Sequence, residues 1–256
     1  MLSVILIVKN EEKLIKQCLS NIKWADEIII VDDFSTDNTC KIAKEFTTKI
    51  YKKHLTSFGE QKNFALSKAK GDWILSIDAD EIFDKEAVKA IKKIINSKKD
   101  SEPAGYKIYR KTYYIGKIIE NLGWYGSVIR LFKKVHGSFT NKKVHEEIII
   151  NGPVSVIEGH IIHYSYLSLK QAFKKQLLYG EFEFEHDIIT KTKFTRFKKY
   201  KFLIYRPIKR FLTMFIQRKG YKDGIRGLII SICDGFREFY KWARIWEERY
   251  KKDLEK

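Results

Sequence analysis

Three carboxylates follow directly behind an apolar segment that is typical of a buried strand. Asp78, Asp80 and Glu81 come after residues 73–77. Like charges at such a position repel each other unless a cation lies between them. Two Asp residues separated by one can share a divalent cation and a sugar hydroxyl, and such oxygen ligands suit Mg2+ or Mn2+ that also contacts phosphates. The pattern therefore predicts a metal and phosphate site, with capping of the next turn as the alternative.

Two further apolar segments also end in polar residues. Residues 27–31 lead into Asp32 and Asp33, and residues 2–8 lead into Lys9, Asn10 and Glu11. A carboxylate at a strand end can accept a hydrogen bond from a nucleobase N–H or a ribose hydroxyl. Capping of a helix that starts near residues 35–39 is the alternative role for Asp32 and Asp33.

The elements that would position these residues alternate along the first hundred positions. Apolar, β-rich runs at 2–8, 27–31, 50–51 and 73–77 are separated by helical patterns at 11–24, 35–46 and 58–70, and Asp84 can cap a fourth helix. This alternation predicts an α/β fold with a mostly parallel sheet flanked by helices. In such sheets ligands bind beyond the carboxyl ends of the strands, where the three polar ends would meet.

The pattern changes after about residue 104. Strands are expected at 105–115, 127–132, 146–150 and 154–166, and helices at 169–186, 194–217 and 224–250. We therefore predict a domain over residues 1–166, with a ligand-binding half at 1–103 and a mixed β half at 104–166. A helical extension would cover residues 167–256.

Composition limits the class of protein. The chain has 256 residues, of which 44% are hydrophobic, so it can bury a core and is not a disordered chain. Three cysteines without metal spacing are typical of thiols in a reducing compartment. The sequence shows neither a signal peptide nor an apolar run of about 20 residues that could cross a bilayer. We expect a cytoplasmic protein.

The net charge of +18 is concentrated in the C-terminal quarter. Residues 191–256 hold 20 basic and 7 acidic side chains, and residues 194–215 interleave basic with aromatic residues. This pattern favours an interfacial helix on an anionic membrane surface. Nucleic-acid binding is less favoured because no recognised motif accompanies the charge. A helix packed on the domain with a solvated basic face is the remaining alternative.

Several motifs together resemble a known family. They read "VILIVKNEE", "IIIVDDFSTDNT", "GEQKNFALSKAKGDWILSIDADE", "RLFKK" and "VHEE". They resemble family 2 glycosyltransferases with the GT-A fold, in particular the small bacterial enzymes that add sugars to the lipopolysaccharide or lipooligosaccharide core. The resemblance is strongest over residues 1–100, weakens towards 166 and returns in the C-terminal helices.

The resemblance implies roles for matching donor-side positions. Val8, Asn10, Glu11, Asp32 and Asp33 would hold the base and ribose of a nucleotide-sugar, with UDP as the default carrier. Lys62 occupies the place of an Arg in many members and would supply charge for the diphosphate, although not a bidentate grip. Asp78 would face the ribose or sugar, and Asp80 would bind the metal.

The second half would supply the base and the acceptor site. In an inverting transfer a carboxylate removes the proton of the attacking hydroxyl, and Glu146 is the candidate, with Glu147 as the local alternative. His163 is a further candidate metal ligand beside Asp80 and Asp78, or a structural His. Trp124 and Tyr125 are candidate sugar-stacking residues, with core packing as the alternative.

These observations predict a metal-dependent hexosyltransferase. It would use Mn2+ or Mg2+ and act on a lipid-linked saccharide of the bacterial cell envelope, as a peripheral protein at the inner face of the cytoplasmic membrane. A nucleotidyltransferase would normally carry a Gly-rich loop after the first strand, where this chain has Lys9 to Glu12 without Gly. A basic membrane- or nucleic-acid-binding module without catalysis leaves the three polar strand ends unexplained.

Overall fold

The chain folds into two compact units. A computed structural model describes residues 1–97, 103–140, 147–187 and 196–254. The first unit comprises Met1–Lys111 and Gly126–His163, and the second comprises Thr112–Tyr125 and Tyr164–Lys256. The second unit thus begins close to the predicted extension, but it also takes residues 112–125 from the predicted mixed β half. It does so because Tyr114, Ile119 and Leu122 are buried in one cluster with Met214 and Ile230.

Four parallel strands form the first half of the main sheet. They are β1 (Leu2–Val8), β2 (Glu27–Asp32), β3 (Ile50–Lys52) and β4 (Trp73–Ser76), in the order β3-β2-β1-β4. The helices between them are α1 (Ile15–Ile22), α2 (Thr39–Ala43) and α3 (Phe58–Lys68). Both faces of β1 are apolar because both are covered: Val4 and Leu6 pack in one buried cluster and Ile5 in another.

The sheet continues with antiparallel pairs. After β5 (Glu81–Phe83) and α4 (Lys85–Ile95) come β6 (Gly105–Tyr114), β7 (Lys117–Ile119) and β8 (Gly126–Lys133). A 3-10 turn at Lys134–His136 leads to a hairpin of β9 (Gly137–Phe139) with β10 (Ile148–Ile150), followed by β11 (Val154–Tyr166). The order beyond β4 is β8-β6-β11-β5, with β7 beside β6. A parallel α/β half that passes into a mixed half confirms the predicted fold class.

Side-chain caps mark the starts of α3 and α4, whereas Asn38 at the start of α2 makes no such hydrogen bond. Ser57 accepts a hydrogen bond from the Glu60 N–H at the start of α3, and Asp84 accepts one from the Ala87 N–H at the start of α4. The α1 helix begins at Ile15 and has no side-chain cap. The predicted start at residue 11 is therefore too early, since residues 11–14 precede the helix.

The second unit is mainly helical. It contains α5 (Leu169–Asp187), α6 (Arg196–Tyr200), α7 (Arg206–Leu212) and α8 (Ile225–Leu254). Two π-helical stretches, Lys201–Tyr205 and Thr213–Gln217, make residues 196–217 one continuous helical segment, as predicted. A 3-10 turn, Gly220–Asp223, precedes α8, and a Cβ on Gly227 would lie 1.8 Å from the Gly220 carbonyl oxygen. Among the described helices none is both long and apolar enough to cross a bilayer.

A buried glutamate joins several parts of the first unit. Glu27 opens β2, its side chain is 1% exposed, and it accepts hydrogen bonds from the Ser3 hydroxyl and the Lys49 ammonium. The Lys70 N–H donates to the same carboxylate at 2.8 Å. Burial alone would raise the pKa of Glu27, but the hydrogen bonds from Lys49 and Ser3 lower it below its usual range.

We predict that Glu27→Gln destabilises the fold by about 1–3 kcal/mol near neutral pH, because a charge-assisted hydrogen bond is lost. A carboxylate whose pKa is lower in the folded state stabilises the fold above its unfolded pKa and loses this effect as pH falls through the folded value. The difference between wild type and variant should therefore shrink at about pH 4 and below. Urea unfolding near neutral pH and at about pH 4 measures the free energy of unfolding of both proteins. Glu45→Gln, which removes an exposed ion pair with Lys16, is the control, and an equal loss in both variants would contradict the prediction.

Candidate active site

The carboxyl ends of β1 and β2 lie side by side. Val8 pairs with Asp32, and the Asp33 N–H donates to the Val8 carbonyl at 2.9 Å. The chain then turns at Asn10, whose φ is 55°. The Asn10 side-chain oxygen accepts from the Thr36 N–H at 2.8 Å, and the Glu11 N–H donates to the Thr39 hydroxyl at 2.7 Å. The two loops after these strands are thus hydrogen-bonded to each other.

Asp32 and Asp33 are both buried and both accept protein hydrogen bonds. The Ser35 N–H donates to Asp32 at 3.1 Å, but Ser35 precedes α2, which begins at Thr39, so this contact closes a turn and does not cap the helix. Asp33 accepts from the Lys9 ammonium at 2.6 Å and from the Leu55 N–H at 3.0 Å. The hydrogen bond from Lys9 lowers the pKa of Asp33 below its usual range. Asp33 therefore stays ionised near neutral pH.

An exposed aromatic pair borders Asp33. Phe34 has a left-handed backbone, with φ of 50°, and a side chain that is 42% exposed. Its ring stacks on His54 with centroids 4.0 Å apart, and the Lys52 ammonium lies 5.6 Å from its centroid. The sequence analysis missed Phe34 and His54. Their available signal was the Phe between the carboxylates and the helix start in "VDDFSTDN".

Two buried cations of the protein hold Asp78. The Lys62 ammonium lies 3.2 Å from Oδ1 of Asp78, and Nη2 of Arg130 donates to Oδ2 at 2.8 Å. Arg130 also donates to Oε1 of Glu81 at 2.6 Å, and Glu81 is fully buried. Burial alone would raise the pKa of Asp78, but the charges of Lys62 and Arg130 lower it well below its usual range. The repulsion between these carboxylates is thus partly offset by the cations Lys62 and Arg130 of the protein itself.

Arg130 is the central residue that the sequence analysis missed. It lies on β8 within "RLFKK", is 7% exposed, and its Nε has no hydrogen-bond partner in the described part of the chain. Burial would lower the pKa of Arg130, but Glu81 and Asp78 raise it, so the guanidinium stays charged. Arg110 on β6 also reaches Glu81, at 3.6 Å. Its available signals were a charged residue among apolar strand residues and its place in the motif "RLFKK", to which no role was given.

Three consecutive side chains of α3, Gln61 to Asn63, contact three different parts of the first unit. The Gln61 side chain donates to the Lys53 carbonyl at 2.8 Å. The Asn63 amide donates to the Phe139 carbonyl at 2.8 Å and accepts from the Phe139 N–H at 2.9 Å. Lys62 between them is 5% exposed and reaches Asp78. The α3 helix therefore fixes a cation beside Asp78 and holds the β9 edge of the hairpin.

Asp80 and His163 form a separate pair. Nε2 of His163, on β11, lies 3.2 Å from Oδ2 of Asp80, and the two side chains are 20% and 17% exposed. A carboxylate and an imidazole together suit Mn2+ and accept Mg2+ less readily. The described residues include no cluster of three or more His, Cys, Asp or Glu placed to hold a metal. The pair fits a metal that takes its remaining ligands from a substrate diphosphate.

The acceptor-side candidates fall in different places. Glu146 lies outside the described residues, whereas Glu147 is exposed just before β10, where its N–H donates to the Thr140 hydroxyl at 3.0 Å. Trp124 belongs to the second unit, where its ring lies 6.1 Å from that of Tyr166, as the core-packing alternative expects. Tyr125 is 47% exposed. Their acceptor roles stay predictions.

Comparisons with known proteins identify the family. The family described as "Glycosyl transferase family 2" matches residues 3–145. An uncharacterized glycosyltransferase of Rickettsia typhi is 30% identical over 96% of this chain and 87% of its own length. The lipopolysaccharide core biosynthesis glycosyltransferase LpsC of Rhizobium meliloti is 26% identical over 96% of this chain and 92% of its own length.

A solved structure supports the fold independently. The mannosyltransferase PcManGT of Pyrobaculum calidifontis aligns over 96% of this chain and 86% of its own, with a TM-score of 0.52 and 13% identity. At that identity the likeness concerns the fold alone. The family model matches more than half of the sequence, and the fold likeness agrees with the α/β sheet described above. The chain belongs to glycosyltransferase family 2 and has the predicted GT-A fold.

Proposed function

We propose that this glycosyltransferase transfers a hexose from a nucleotide-diphospho-sugar to a lipid-linked saccharide with inversion at the anomeric carbon. The proposal rests on the polar side chains at the carboxyl ends of the strands. These are Asp33 after β2, Asp78 after β4, and the Asp80–His163 pair beside Asp78. The likeness to LpsC over nearly the whole chain supports an acceptor of the lipopolysaccharide core type.

The donor nucleotide would bind at the ends of β1 and β2. Val8, Asn10, Glu11, Asp32 and Asp33 are the proposed base and ribose contacts. The exposed ring of Phe34 offers a flat surface for a nucleobase next to Asp33. UDP is the default carrier, although the fold neighbour PcManGT is in complex with GDP-Man and Mn2+.

The diphosphate would bind between Lys62 and a metal. Asp80 and His163 would hold Mn2+ or Mg2+, which supplies positive charge for the diphosphate leaving group. Lys62 adds a second positive charge from α3. The ion pairs of Asp78 with Lys62 and Arg130 favour a role in orienting these cations and the sugar over a role as a metal ligand.

The transfer itself needs a base on the acceptor side. The acceptor hydroxyl oxygen forms a bond to the anomeric carbon while the bond from that carbon to the diphosphate breaks. The hydroxyl proton passes to a carboxylate, for which Glu146 is the first candidate and Glu147 the second. Tyr125 and Trp124 are proposed only as acceptor contacts.

A lipid-linked acceptor would place the enzyme at a membrane. We propose a peripheral protein at the inner face of the cytoplasmic membrane, held partly by the basic charge of residues 191–256. Two alternatives to a glycosyltransferase, a nucleotidyltransferase and a basic nucleic-acid- or membrane-binding module without catalysis, are disfavoured by the family membership.

We predict that Asp80→Asn removes metal-dependent donor binding, because a neutral amide is a weaker ligand for a hard cation. A thermal-shift screen of nucleotide-sugars with Mn2+ or a chelator should show stabilisation of the wild type only with metal. Turnover of the variant should fall about 10²–10⁴-fold, equivalent to a few kcal/mol. Asp72→Asn, at an 86% exposed side chain, is the control, and unchanged metal-dependent stabilisation in Asp80→Asn would refute the metal role.

We predict that Glu146→Gln lowers turnover about 10²–10⁴-fold while donor binding stays intact, because only the proton acceptor is lost. Glu147→Gln, one residue away, is the comparison variant and tests the second candidate base. Turnover and donor thermal shift measured on both variants assign the base. If Glu147→Gln shows the loss and Glu146→Gln does not, the base is Glu147, and no loss in either variant would place the base elsewhere.

We predict that Arg130→Met destabilises the protein by about 3–5 kcal/mol, because Glu81 is left buried without its bridging cation. The double variant Arg130→Met/Glu81→Leu should cost clearly less than the sum of the two single changes. Urea unfolding of the four proteins in this cycle gives the coupling. Additive losses would show that the Arg130–Glu81 contact does not support the site.

A further inference from the structure

Two neighbouring helical segments of the second unit each expose a stripe of apolar side chains. In the segment 196–217, Ile204, Ile208 and Leu212 are between 42% and 52% exposed. In α8, Ile232, Phe236 and Phe239 are between 39% and 51% exposed. Exposed apolar surface of this extent marks an interaction site more often than chance.

The two segments pack as an antiparallel pair. Phe202 stacks on Trp242 with centroids 4.1 Å apart, and Arg210 pairs with Asp234, so the chain directions are opposed. The two backbones approach closely at Gly235, where a Cβ would lie 3.0 Å from the Pro207 carbonyl oxygen and 3.4 Å from Cβ of Phe211. Gly235 of α8, and Pro207 and Phe211 of the other segment, therefore lie at the contact between the two helices.

Both stripes lie on the same side of this pair. Ile208 follows Pro207 and Phe236 follows Gly235, so each is turned by about 100° from the line of contact. In two right-handed helices that run in opposite directions, these equal turns carry both side chains to one face. We call this face, formed by Ile204, Ile208, Leu212, Ile232, Phe236 and Phe239, the hairpin face.

The exposed stripe of α8 continues beyond the hairpin face. Trp246 and Tyr250 are 37% and 52% exposed, and their rings stack with centroids 5.5 Å apart. Ile225, at the other end of α8, is 64% exposed. Trp and Tyr side chains are enriched where a protein meets the headgroup region of a membrane. The stripe thus has an aliphatic end and an aromatic end.

The charge of the same segment indicates the partner. Residues 196–222 hold ten Lys or Arg and no Asp or Glu. Lys198, Lys199, Lys201 and Lys209 are exposed. An apolar stripe combined with basic side chains is the pattern of helices that lie in the interface of an anionic bilayer. A second copy of the chain would instead bring two strongly basic segments together, which costs free energy.

We propose that the hairpin face docks on the surface of a membrane that contains anionic lipid, with its apolar side chains among the acyl chains and its lysines at the headgroups. The inference deepens the proposed membrane location, on which it rests for its biological setting, but it needs no catalysis. It assigns the contact to a face shared by two helices of the second unit.

The test is co-sedimentation of the full-length protein with vesicles. Vesicles of phosphatidylcholine alone are compared with vesicles that also contain about 30% phosphatidylglycerol. The wild type should bind the anionic vesicles. Ile208→Ser/Phe236→Ser should lower the partition coefficient about 10- to 100-fold, because two large apolar side chains are lost. Val135→Ser/Ile149→Ser, two exposed apolar positions of the first unit, is the matched control and should bind as the wild type does.

A second variant tests the charge without altering apolar packing. Lys198→Gln/Lys199→Gln/Lys209→Gln should lower binding to anionic vesicles about 100-fold and leave the weak binding to neutral vesicles unchanged. Wild-type binding by either the apolar variant or the lysine variant would overturn the proposal. So would a wild type that binds no vesicles and is a dimer by light scattering, with Ile208→Ser/Phe236→Ser monomeric, because the face would then bind a second copy.

Donor binding separates this inference from the proposed function. Metal-dependent stabilisation by a nucleotide-sugar should be the same in the wild type, the apolar variant and the lysine variant, which also shows that the variants are folded. The wild type could bind vesicles and yet show no stabilisation by any nucleotide-sugar. That result would support the membrane-docking face and contradict the proposed transferase chemistry.

Discussion

The geometry of the candidate site depends on one buried guanidinium. Arg130 lies between Asp78 and Glu81, and Glu81 has no exposure to solvent. Burial of a carboxylate without a paired cation costs free energy, so the turn after β4 depends on this ion pair. Because Arg130 is on β8, which pairs with β4, the sheet itself brings the cation to the carboxylates. The position of Asp80 therefore depends on β8, because Asp80 lies between the two residues that Arg130 holds.

This arrangement gives neighbouring carboxylates different environments. Asp78 is held by Lys62 and Arg130, whereas Asp80 contacts His163, which is brought there because β11 pairs with β5 at His163 and Glu81. In the proposed function, these two environments correspond to the diphosphate contact of Lys62 and the metal site of Asp80 and His163. The D-x-D spacing thus places one carboxylate between two cations of the protein and the other beside an imidazole.

Much of the first half could be read from the sequence because its signals are local. Apolar runs ended by polar residues predicted β1, β2 and β4 correctly, and Asp84 was correctly predicted as a cap. Contacts distant in sequence gave no such signal. Arg130 meets Asp78 and Glu81 only through sheet pairing, and residues 112–125 join the second unit only through buried contacts with residues such as Met214. The strand β5 was missed because it begins with the carboxylate Glu81 and ends just before the Asp84 cap, so it was read as the turn before the next helix.

The π-helical stretches explain how the segment 196–217 keeps an apolar stripe in line. Five exposed apolar residues there are spaced by four positions, at Tyr200, Ile204, Ile208, Leu212 and Ile216, and Tyr205 is exposed beside them. In a regular α-helix a spacing of four drifts by about 40° at each step, so the stripe would wind around the helix. The wider turns at Lys201–Tyr205 and Thr213–Gln217 hold more residues per turn and rotate the chain back. A four-residue repeat combined with two π turns therefore yields a straight apolar edge, the shape that a flat surface requires.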